Sequence, residues 1–344
     1  MVRRTVDRKI KGQRNESLES CSSLVHRFKP RCDYKNTMRI RILGSAAGGG
    51  LPQWNCRCPN CDAARQGSPH VRPRTQSSVA VSADARNWFL LNVSADVRAQ
   101  LSAASDLWPP SNMRRGTSIA GCILTDAEID HTSGLLQLRE GCTFGIFSTP
   151  VVRHWLHQYF PISPILAPFA DRSWIDLPLD SEFELPLTDG APSGLRLRAF
   201  EVGRDVPRFV PESTAGAQGA VIGLAIEDRT NGSKLVYAPG VPAIGTSLRA
   251  AAEGADCLLI DGTFWSDDEP RQMGIANSTA RNMGHVPVAG ADGTLAWLST
   301  QPARHRVYVH INNTNPMLND AGPEFREVEN AGVRVSSDGD EVEL

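Results

Sequence analysis

The chain has 344 residues, of which 41% are hydrophobic and 22% charged, a composition typical of a globular protein that can bury a large core. No apolar run approaches the ~18 residues that a membrane-spanning helix needs, so we expect a cytoplasmic protein with no membrane partner. The net charge of −2 combines +6 over residues 1–37 (10 basic minus 4 acidic) with −8 over residues 38–344 (26 minus 34), and this acidic body argues against a nucleic-acid-binding face.

The N-terminal segment 1–37 is basic and lacks the apolar stretch of a secretory signal. Regular alternation of apolar residues begins only at Met38, in the run Met-Arg-Ile-Arg-Ile-Leu. We therefore expect residues 1–37 to be a disordered tail or a misassigned start, and residues 38–344 to form a single domain.

Short apolar or β-branched runs alternate with helical patterns through the rest of the chain, which predicts a mixed α/β (α+β) fold with helices covering the sheets and no all-parallel doubly wound sheet. The dipeptide Asn231-Gly232 predicts one hairpin turn, and Asp338-Gly339 predicts a second that would close the chain as a hairpin over Val333–Leu344. The predicted strands are Arg39–Leu43, Ser78–Ser82, Trp88–Val93, Cys122–Thr125, Gly145–Ser148, Leu195–Val202, Val221–Glu227, Lys234–Tyr237, Cys257–Ile260 and Arg306–Ile311. The predicted helices are Val151–Phe160, Ser247–Glu253, Thr294–Ser299 and Glu324–Asn330.

Two loops stand out between these elements. Gly44–Gly50 is glycine-rich, but it lacks the Gly-Lys-Ser/Thr ending of a phosphate-binding loop and the spacing of a dinucleotide fingerprint. We interpret it as a tight turn leading into the cysteine-rich segment that follows. Pro207–Gly219 is rich in proline and glycine, which predicts a long surface loop that could overhang a site.

Three of the eight cysteines, Cys56, Cys58 and Cys61, lie within six residues. Three thiolates on one tight loop can converge on a tetrahedral Zn²⁺ at about 2.3 Å, and a zinc ion with four protein ligands is structural. A redox or packing role is the alternative. The fourth ligand must come from elsewhere, with Asn313, His310 or another histidine as candidates.

A second cluster of metal-binding residue types, Asp126, Glu128, Asp130 and His131, follows the apolar run Cys122–Leu124. If the strand continued, residues 126, 128 and 130 would share one face, and the imidazole would add a nitrogen ligand. The alternative is a helix N-terminus rich in acidic residues.

Asp261 and His310 each directly follow an apolar β-run. Together with Asp130 and His131 they supply two carboxylates and two imidazoles, which suits Fe(II) or Zn(II) with open coordination positions. His285 lies in a loop before a predicted helix. We interpret it as an acid or base on the substrate side, with a surface histidine as the alternative.

Longer motifs surround these residues: Leu43-Gly-Ser-Ala-Ala-Gly-Gly-Gly-Leu-Pro-Gln-Trp-Asn-Cys56, Pro73-Arg-Thr-Gln-Ser-Ser78, Leu124-Thr-Asp-Ala-Glu-Ile-Asp-His131, Asp261-Gly-Thr-Phe-Trp265, Met283-Gly-His285 and His310-Ile-Asn-Asn-Thr-Asn-Pro316. From about residue 38 to the end, the chain resembles the pyrroloquinoline quinone (PQQ) biosynthesis protein B family of the metallo-β-lactamase superfamily. The resemblance implies an αββα sandwich with metal bound at one edge of its two sheets.

The first metal motif departs from the superfamily pattern His-x-His-x-Asp-His, because Asp126 and Glu128 occupy the two leading histidine positions. The resemblance therefore implies a single active-site metal at the intact half-site and argues against a two-metal hydrolase. A second departure is that Arg204–Gly219 contains no histidine, whereas close relatives carry several. This difference bears on any role of the loop in metal binding or substrate recognition.

The resemblance also implies a reaction: Fe²⁺- and O₂-dependent hydroxylation of the tyrosine-derived ring of a cross-linked Glu-Tyr precursor, bound as a small molecule or short peptide. Fe²⁺ would be the active-site metal and Zn²⁺ the structural one, with other pathway enzymes as further partners. His285, Asp126 and Glu128 would be catalytic, with His285 moving a proton. The alternatives are a metal-dependent hydrolase and a non-enzymatic carrier that assists transport of the quinone.

Overall fold

The computed structural model describes residues 37–169, 173–214 and 216–344. The expectation of a tail or misassigned start over 1–37 therefore falls, except for Thr37, outside the described residues. Among the described residues, no helix combines the length and apolarity needed to span a bilayer.

Two seven-stranded sheets form the centre of the structure. Their strands, numbered in chain order, are β1 (Arg39–Gly44), β2 (Ser78–Ser82), β3 (Trp88–Leu91), β4 (Ile119–Ile123), β5 (Gly145–Ser148), β6 (Trp174–Asp176), β7 (Glu182–Pro186), β8 (Pro192–Gly203), β9 (Val221–Asp228), β10 (Lys234–Ala238), β11 (Cys257–Asp261), β12 (His305–Val309), β13 (Arg334–Val335) and β14 (Glu341–Glu343). The helices are α1 (Pro59–Arg65), α2 (Val97–Ala103), α3 (Ile129–Thr132), α4 (Pro150–Gln158), α5 (Ile162–Leu166), α6 (Thr246–Ala252), α7 (Glu269–Gln272), α8 (Thr294–Leu298) and α9 (Pro323–Asn330).

Each sheet is antiparallel in one half and parallel in the other. The first sheet has the order β14-β1-β2-β3-β4-β5-β6, and its strands are parallel from β3 to β6. The second has the order β13-β12-β11-β10-β9-β8-β7, and its strands are parallel from β10 to β13. The prediction of mixed sheets is confirmed. Because parallel strands end at the same edge of a sheet, the residues that follow β4, β11 and β12 can meet there.

Three apolar layers explain the stacking of these elements. The layer between the sheets contains residues of both, including Phe89, Phe147, Leu197 and Leu259. A second apolar cluster packs the outer face of the first sheet against α2, α4 and α5, and a third packs the outer face of the second sheet against α6, α8 and α9. This order of layers is the αββα sandwich that the resemblance implies, and the predicted fold is confirmed.

The predicted closing hairpin over Val333–Leu344 is wrong. Strand β13 pairs with β12, whereas β14 pairs with β1, so the two belong to different sheets. The turn at Asp338-Gly339 does form, with Gly339 at φ +88°. However, the Asp338 carboxylate accepts hydrogen bonds from the backbone amides of Ser45 and Thr75 at 2.9 and 2.6 Å. These bonds hold the turn against the first sheet, so the chain crosses between sheets instead of folding back on itself.

Other predicted strands and helices are observed with ends shifted by at most three residues. The largest consequence is at β12, which ends at Val309 and leaves His310 outside the strand with φ +55°. Short elements were not predicted, among them the edge strand β6 and helix α1, because so few residues carry little periodic signal.

Phe147 offers a test of the layer between the sheets. Its ring is 1% exposed and lies 6.2 Å from the ring of Phe89, centroid to centroid, and a Cβ atom on Gly121 would meet it at 2.6 Å. We expect Phe147→Ala to lower the free energy of unfolding by about 3–5 kcal/mol because it leaves a cavity. In urea unfolding, the exposed Phe169→Ala should change it by about 0.5 kcal/mol or less. Equal losses in the two variants would contradict this account of the core.

Candidate functional site

Acidic and histidine side chains meet where β4, β11 and β12 end. Two groups of metal-ligand type have their ligand atoms within 4.8 Å of one another: Asp130, His131 and His310, and Asp261, His285 and His310. Because His310 belongs to both, the five side chains form one cluster, here called the cleft cluster. It lies in a cleft of about 670 Å³.

His131 is held by Asp126, which stands in the loop after β4. Its Nδ1 atom lies 2.8 Å from both carboxylate oxygens of Asp126, which also accept hydrogen bonds from the Thr125 hydroxyl and the Glu128 backbone amide at 2.7 and 2.9 Å. Since a carboxylate only accepts, Nδ1 carries a proton, and Nε2 is the ring nitrogen that can bind a metal ion. The Nε2 atom is buried and has no hydrogen-bond partner.

A hydroxyl group fixes His310 in the same way. The Thr263 hydroxyl lies 2.6 Å from Asp261 Oδ1 and 2.8 Å from His310 Nδ1. With the hydroxyl proton on Asp261, the oxygen accepts from His310 Nδ1, and this contact directs His310 Nε2 toward Asp130.

His285 completes the set of three oriented imidazoles. Its Nδ1 donates to Asp261 Oδ2 at 2.7 Å, and its ring stacks on that of His310 with centroids 5.5 Å apart. Asp261 is fully buried and also accepts from the backbone amides of Val241 and Thr263 at 2.8 and 2.9 Å. Each oxygen of Asp261 thus accepts two hydrogen bonds.

Asp130 faces the Nε2 atoms of two of these rings. Its Oδ2 atom lies 3.4 Å from His310 Nε2 and 4.0 Å from His131 Nε2. Gly48 of the first glycine-rich loop packs against this carboxylate, since a Cβ atom there would lie 3.1 Å from Asp130 Oδ2. The loop does turn tightly, with Gly49 and Gly50 at positive φ, and it also lines the cleft.

The charges in the cleft cluster depend on one another. Burial disfavours the charged form of His131, but Asp126 and Asp130 outweigh it and raise the pKa of His131 to about 9. Burial likewise opposes the charge of Asp130, but His131 and the hydrogen bond from His310 bring its pKa well below the usual range. In the metal-free protein His131 is therefore protonated at neutral pH, and a metal ion that binds Nε2 must displace that proton.

Glu128 is open to the cleft and is not held by the other side chains. Desolvation in the cleft, followed by the negative charges of Asp126 and Asp130, raises the pKa of Glu128 to about 7. Its carboxyl group can therefore both give and take a proton near neutral pH.

The cysteine-rich segment forms a separate cluster at the start of α1. The Sγ atoms of Cys56, Cys58 and Cys61 lie within 4.8 Å of one another. The side-chain amide of Asn313 lies 3.2, 3.4 and 3.3 Å from these three sulfur atoms. Of the candidates for the fourth position, Asn313 is thus at the cysteines, whereas His310 is in the cleft cluster.

One buried segment, His310–Asn315, reaches both clusters. The Asn60 side-chain amide, from between Cys58 and Cys61, donates to the backbone carbonyls of Asn313 and Asn315 at 3.0 and 2.9 Å. The Asn315 amide donates to the carbonyl of Gly262 at 3.0 Å. The cysteine loop is therefore fastened directly to the segment that carries His310.

The structure brings together the predicted residues Asp126, Asp130, His131, Asp261, His285 and His310. The idea that residues 126, 128 and 130 line one face of a continuing strand is wrong, because β4 ends at Ile123 and residues 129–132 form α3. Sequence reasoning missed Thr263 and Asn60. Thr263 could have been noticed two residues after Asp261, but no sequence signal points to Asn60.

Comparison with known proteins places this geometry in a family. The model of the β-lactamase superfamily domain matches residues 87–311. The coenzyme PQQ synthesis protein B of Methylococcus capsulatus is 43% identical over 309 residues, covering 89% of this chain and 100% of that protein. The protein of the same name from Pseudomonas putida strain W619 is 43% identical over 308 residues, again covering 89% and 100%.

Solved structures agree with these relatives. Zn²⁺-bound PqqB from Methylobacterium extorquens matches with a TM-score of 0.81 and 38% identity, covering 89% of this chain and 100% of that one. A diphosphatase of the PhnP family matches with a TM-score of 0.59 and 17% identity, covering 90% and 97%. The second likeness shows the fold alone.

Asn60 tests the attachment between the two clusters. In Asn60→Ala the carbonyl oxygens of Asn313 and Asn315 lose a buried donor, at roughly 1–3 kcal/mol each, so we expect a loss of about 2–6 kcal/mol in the free energy of unfolding. Urea unfolding monitored by circular dichroism would measure it. The exposed Asn55→Ala, in the same loop, should cost about 0.5 kcal/mol or less. An equally small effect of Asn60→Ala would contradict the attachment.

Proposed function

The chain belongs to the coenzyme PQQ synthesis protein B family of the β-lactamase superfamily, and on this premise we propose that it acts in PQQ biosynthesis as a metal-dependent oxygenase. The proposed substrate is a cross-linked Glu-Tyr unit, free or within a short peptide, and the proposed reaction is hydroxylation of its tyrosine-derived ring. The observation that carries the proposal is the triad of Asp130, His131 and His310. Two imidazoles and one carboxylate with open positions are the ligand set of non-haem Fe(II) oxygenases.

The residues of the cleft cluster fit a metal ion. The Nε2 atom of His131 is buried without a hydrogen-bond partner, and such an atom is costly unless something binds it. His310 Nε2 and Asp130 Oδ2 lie beside it. Asp261 would join this triad by giving up one of the hydrogen bonds that it accepts from the backbone amides of Val241 and Thr263.

A single metal ion is favoured over a pair. Asp126 replaces the first histidine of the superfamily motif, yet both its oxygens are already hydrogen-bonded to His131. Asp126 would therefore orient the ligand His131 through a hydrogen bond and would not bind the metal itself, a role that carboxylates commonly have in metal sites. Two-metal hydrolysis needs a second set of ligands. That second set lacks its two histidines here, because Asp126 and Glu128 occupy their positions, and this argues against a two-metal hydrolase.

The cysteine cluster fits a structural zinc ion. The three converging sulfur atoms would supply three ligands, and the Asn313 amide, which donates to all three sulfurs in the metal-free protein, would turn its oxygen to the zinc as the fourth and leave no open position for chemistry. The related PqqB structure from Methylobacterium extorquens is described as Zn²⁺-bound. We propose that zinc in this chain binds at Cys56, Cys58 and Cys61.

The protein's own groups would position the ring and move protons. Fe²⁺, when bound, supplies the one-electron chemistry that lets O₂ react with an organic substrate. One oxygen atom replaces a ring hydrogen and the other leaves as water, with two electrons and two protons supplied by a reductant. His285, oriented by Asp261 with Nε2 free, carries a proton to or from the phenol. Glu128, with a pKa of about 7, would accept or release a proton inside the cleft.

Isotopic labelling tests the reaction. The protein would be loaded with Fe(II) without oxygen, then mixed with a cross-linked Glu-Tyr substrate, ascorbate as reductant and ¹⁸O₂. We expect mass spectrometry to show one ¹⁸O atom in the ring, and no label in His310→Ala. Unlabelled product, or turnover of a lactone or phosphodiester without O₂, would overturn the proposal in favour of a hydrolase.

Metal analysis tests the two sites separately from activity. The intact protein should bind one zinc and one iron per chain, and His131→Ala should keep the zinc but lose the iron because the triad loses a nitrogen ligand. The exposed His157→Ala is the control and should keep both. Loss of neither metal from His131→Ala, as measured by inductively coupled plasma mass spectrometry, would show that the iron is bound elsewhere.

A further inference from the structure

Four acidic residues and one arginine line the cleft. Asp126, Glu128, Asp130 and Asp205 line it, and Arg208 is the one described lining residue with a permanent positive charge. Arg208 is exposed, and no hydrogen bond or ion pair of the described residues engages its guanidinium group. An unpaired cation among carboxylates is available to an incoming anion.

The loop around Arg208 is fixed in place. On both sides of Arg208 the chain is anchored, since Pro207 and Val210 are buried and the ring of Phe209 packs 5.5 Å from that of Phe160, centroid to centroid. Arg208 is therefore attached to an ordered support at the cleft.

The base of the loop is closed by a second set of contacts. Arg204 donates to Glu201 Oε1 at 2.8 Å, and Glu201 Oε2 accepts from the Gly219 amide at 2.9 Å. The Thr149 hydroxyl donates to the Gly219 carbonyl at 2.8 Å. Arg204 therefore stabilises the base of the loop through its contact with Glu201, whereas Arg208 has no such partner among the described residues.

We propose that Arg208 is the substrate-binding residue that pairs with a carboxylate of the ligand held in the cleft. A guanidinium group matches a carboxylate with two parallel hydrogen bonds and keeps its charge at any physiological pH. The inference rests on the proposed function in one respect, namely that the substrate carries amino-acid carboxylates at a distance from its phenol ring. With the ring at the metal triad, a carboxylate at Arg208 would fix the direction in which the substrate lies.

Equilibrium binding tests this assignment without turnover. The probes are dihydroxyphenylalanine and its carboxamide, which differ in one negative charge, titrated without oxygen into the Zn²⁺-loaded full-length protein. In Arg208→Gln we expect the acid to bind about 10- to 100-fold more weakly, as for a lost hydrogen-bonded charge pair, while the carboxamide binds as before. Arg208→Lys should be intermediate, because it keeps the charge but not the paired geometry.

Arg115→Gln is the matched control, since Arg115 is exposed and does not line the cleft; both probes should bind it as they bind the unaltered protein. The proposal is overturned if the unaltered protein binds the acid no more tightly than the carboxamide, or if Arg208→Gln weakens both probes equally. Failure of ring labelling with ¹⁸O₂ while the acid and carboxamide still differ at Arg208 would overturn the oxygenase reaction and leave the carboxylate site standing.

Discussion

A buried run of six residues, His310–Asn315, is the constraint on which both metal-ligand clusters depend. His310 presents its imidazole to the cleft, and Asn313, three residues later, presents its amide to the three cysteine sulfurs. The backbone at His310 has φ +55°, a conformation that a residue with a side chain keeps only when its surroundings enforce it. The Thr263 hydroxyl contacts both the ring and the backbone carbonyl of His310, while the hydrogen bonds of Asn60 and Asn315 fasten the residues that follow it. The cysteine loop therefore helps to set the position of a cleft histidine that it does not touch.

The same contact recurs three times in the cleft cluster: an oxygen atom accepts a hydrogen bond from the Nδ1 atom of each imidazole. Asp126, Thr263 and Asp261 hold the Nδ1 atoms of the three histidines, and each contact turns an Nε2 atom toward the cleft. The carboxylates of Asp126, Asp130 and Asp261 lie near one another and repel, and burial adds to the cost of their charge. Protonated His131 balances part of that charge in the metal-free protein, and a divalent cation would balance it in its place. The replacement of the two leading histidines of the superfamily motif is thus compatible with a metal site, because Asp126 would hold the ligand His131 in position where a histidine would itself be a ligand.

The residues of the cleft could be selected from the sequence because of where they stand along it. Asp261 and His310 each follow an apolar run that ends a buried strand, and parallel strands deliver such residues to one edge. The closing hairpin shows the limit of the same reasoning. A turn dipeptide predicts that the chain reverses, and it does reverse at Gly339, but local sequence does not specify which sheet the next strand joins. The Asp338 carboxylate decides that through contacts with residues nearly 300 positions away.

The sequence by itself determined the residue types, the mixed α/β composition and the presence of two separate groups of metal-ligand residues, because ligand chemistry and strand periodicity are local properties. Only the tertiary structure decided the partners. It placed Asn313 at the cysteines and His310 in the cleft, turned Asp126 into a support for His131, and paired Arg204 while leaving Arg208 without a partner among the residues described. Those assignments depend on contacts between residues that are far apart along the chain. Such contacts form only once the two sheets have packed face to face.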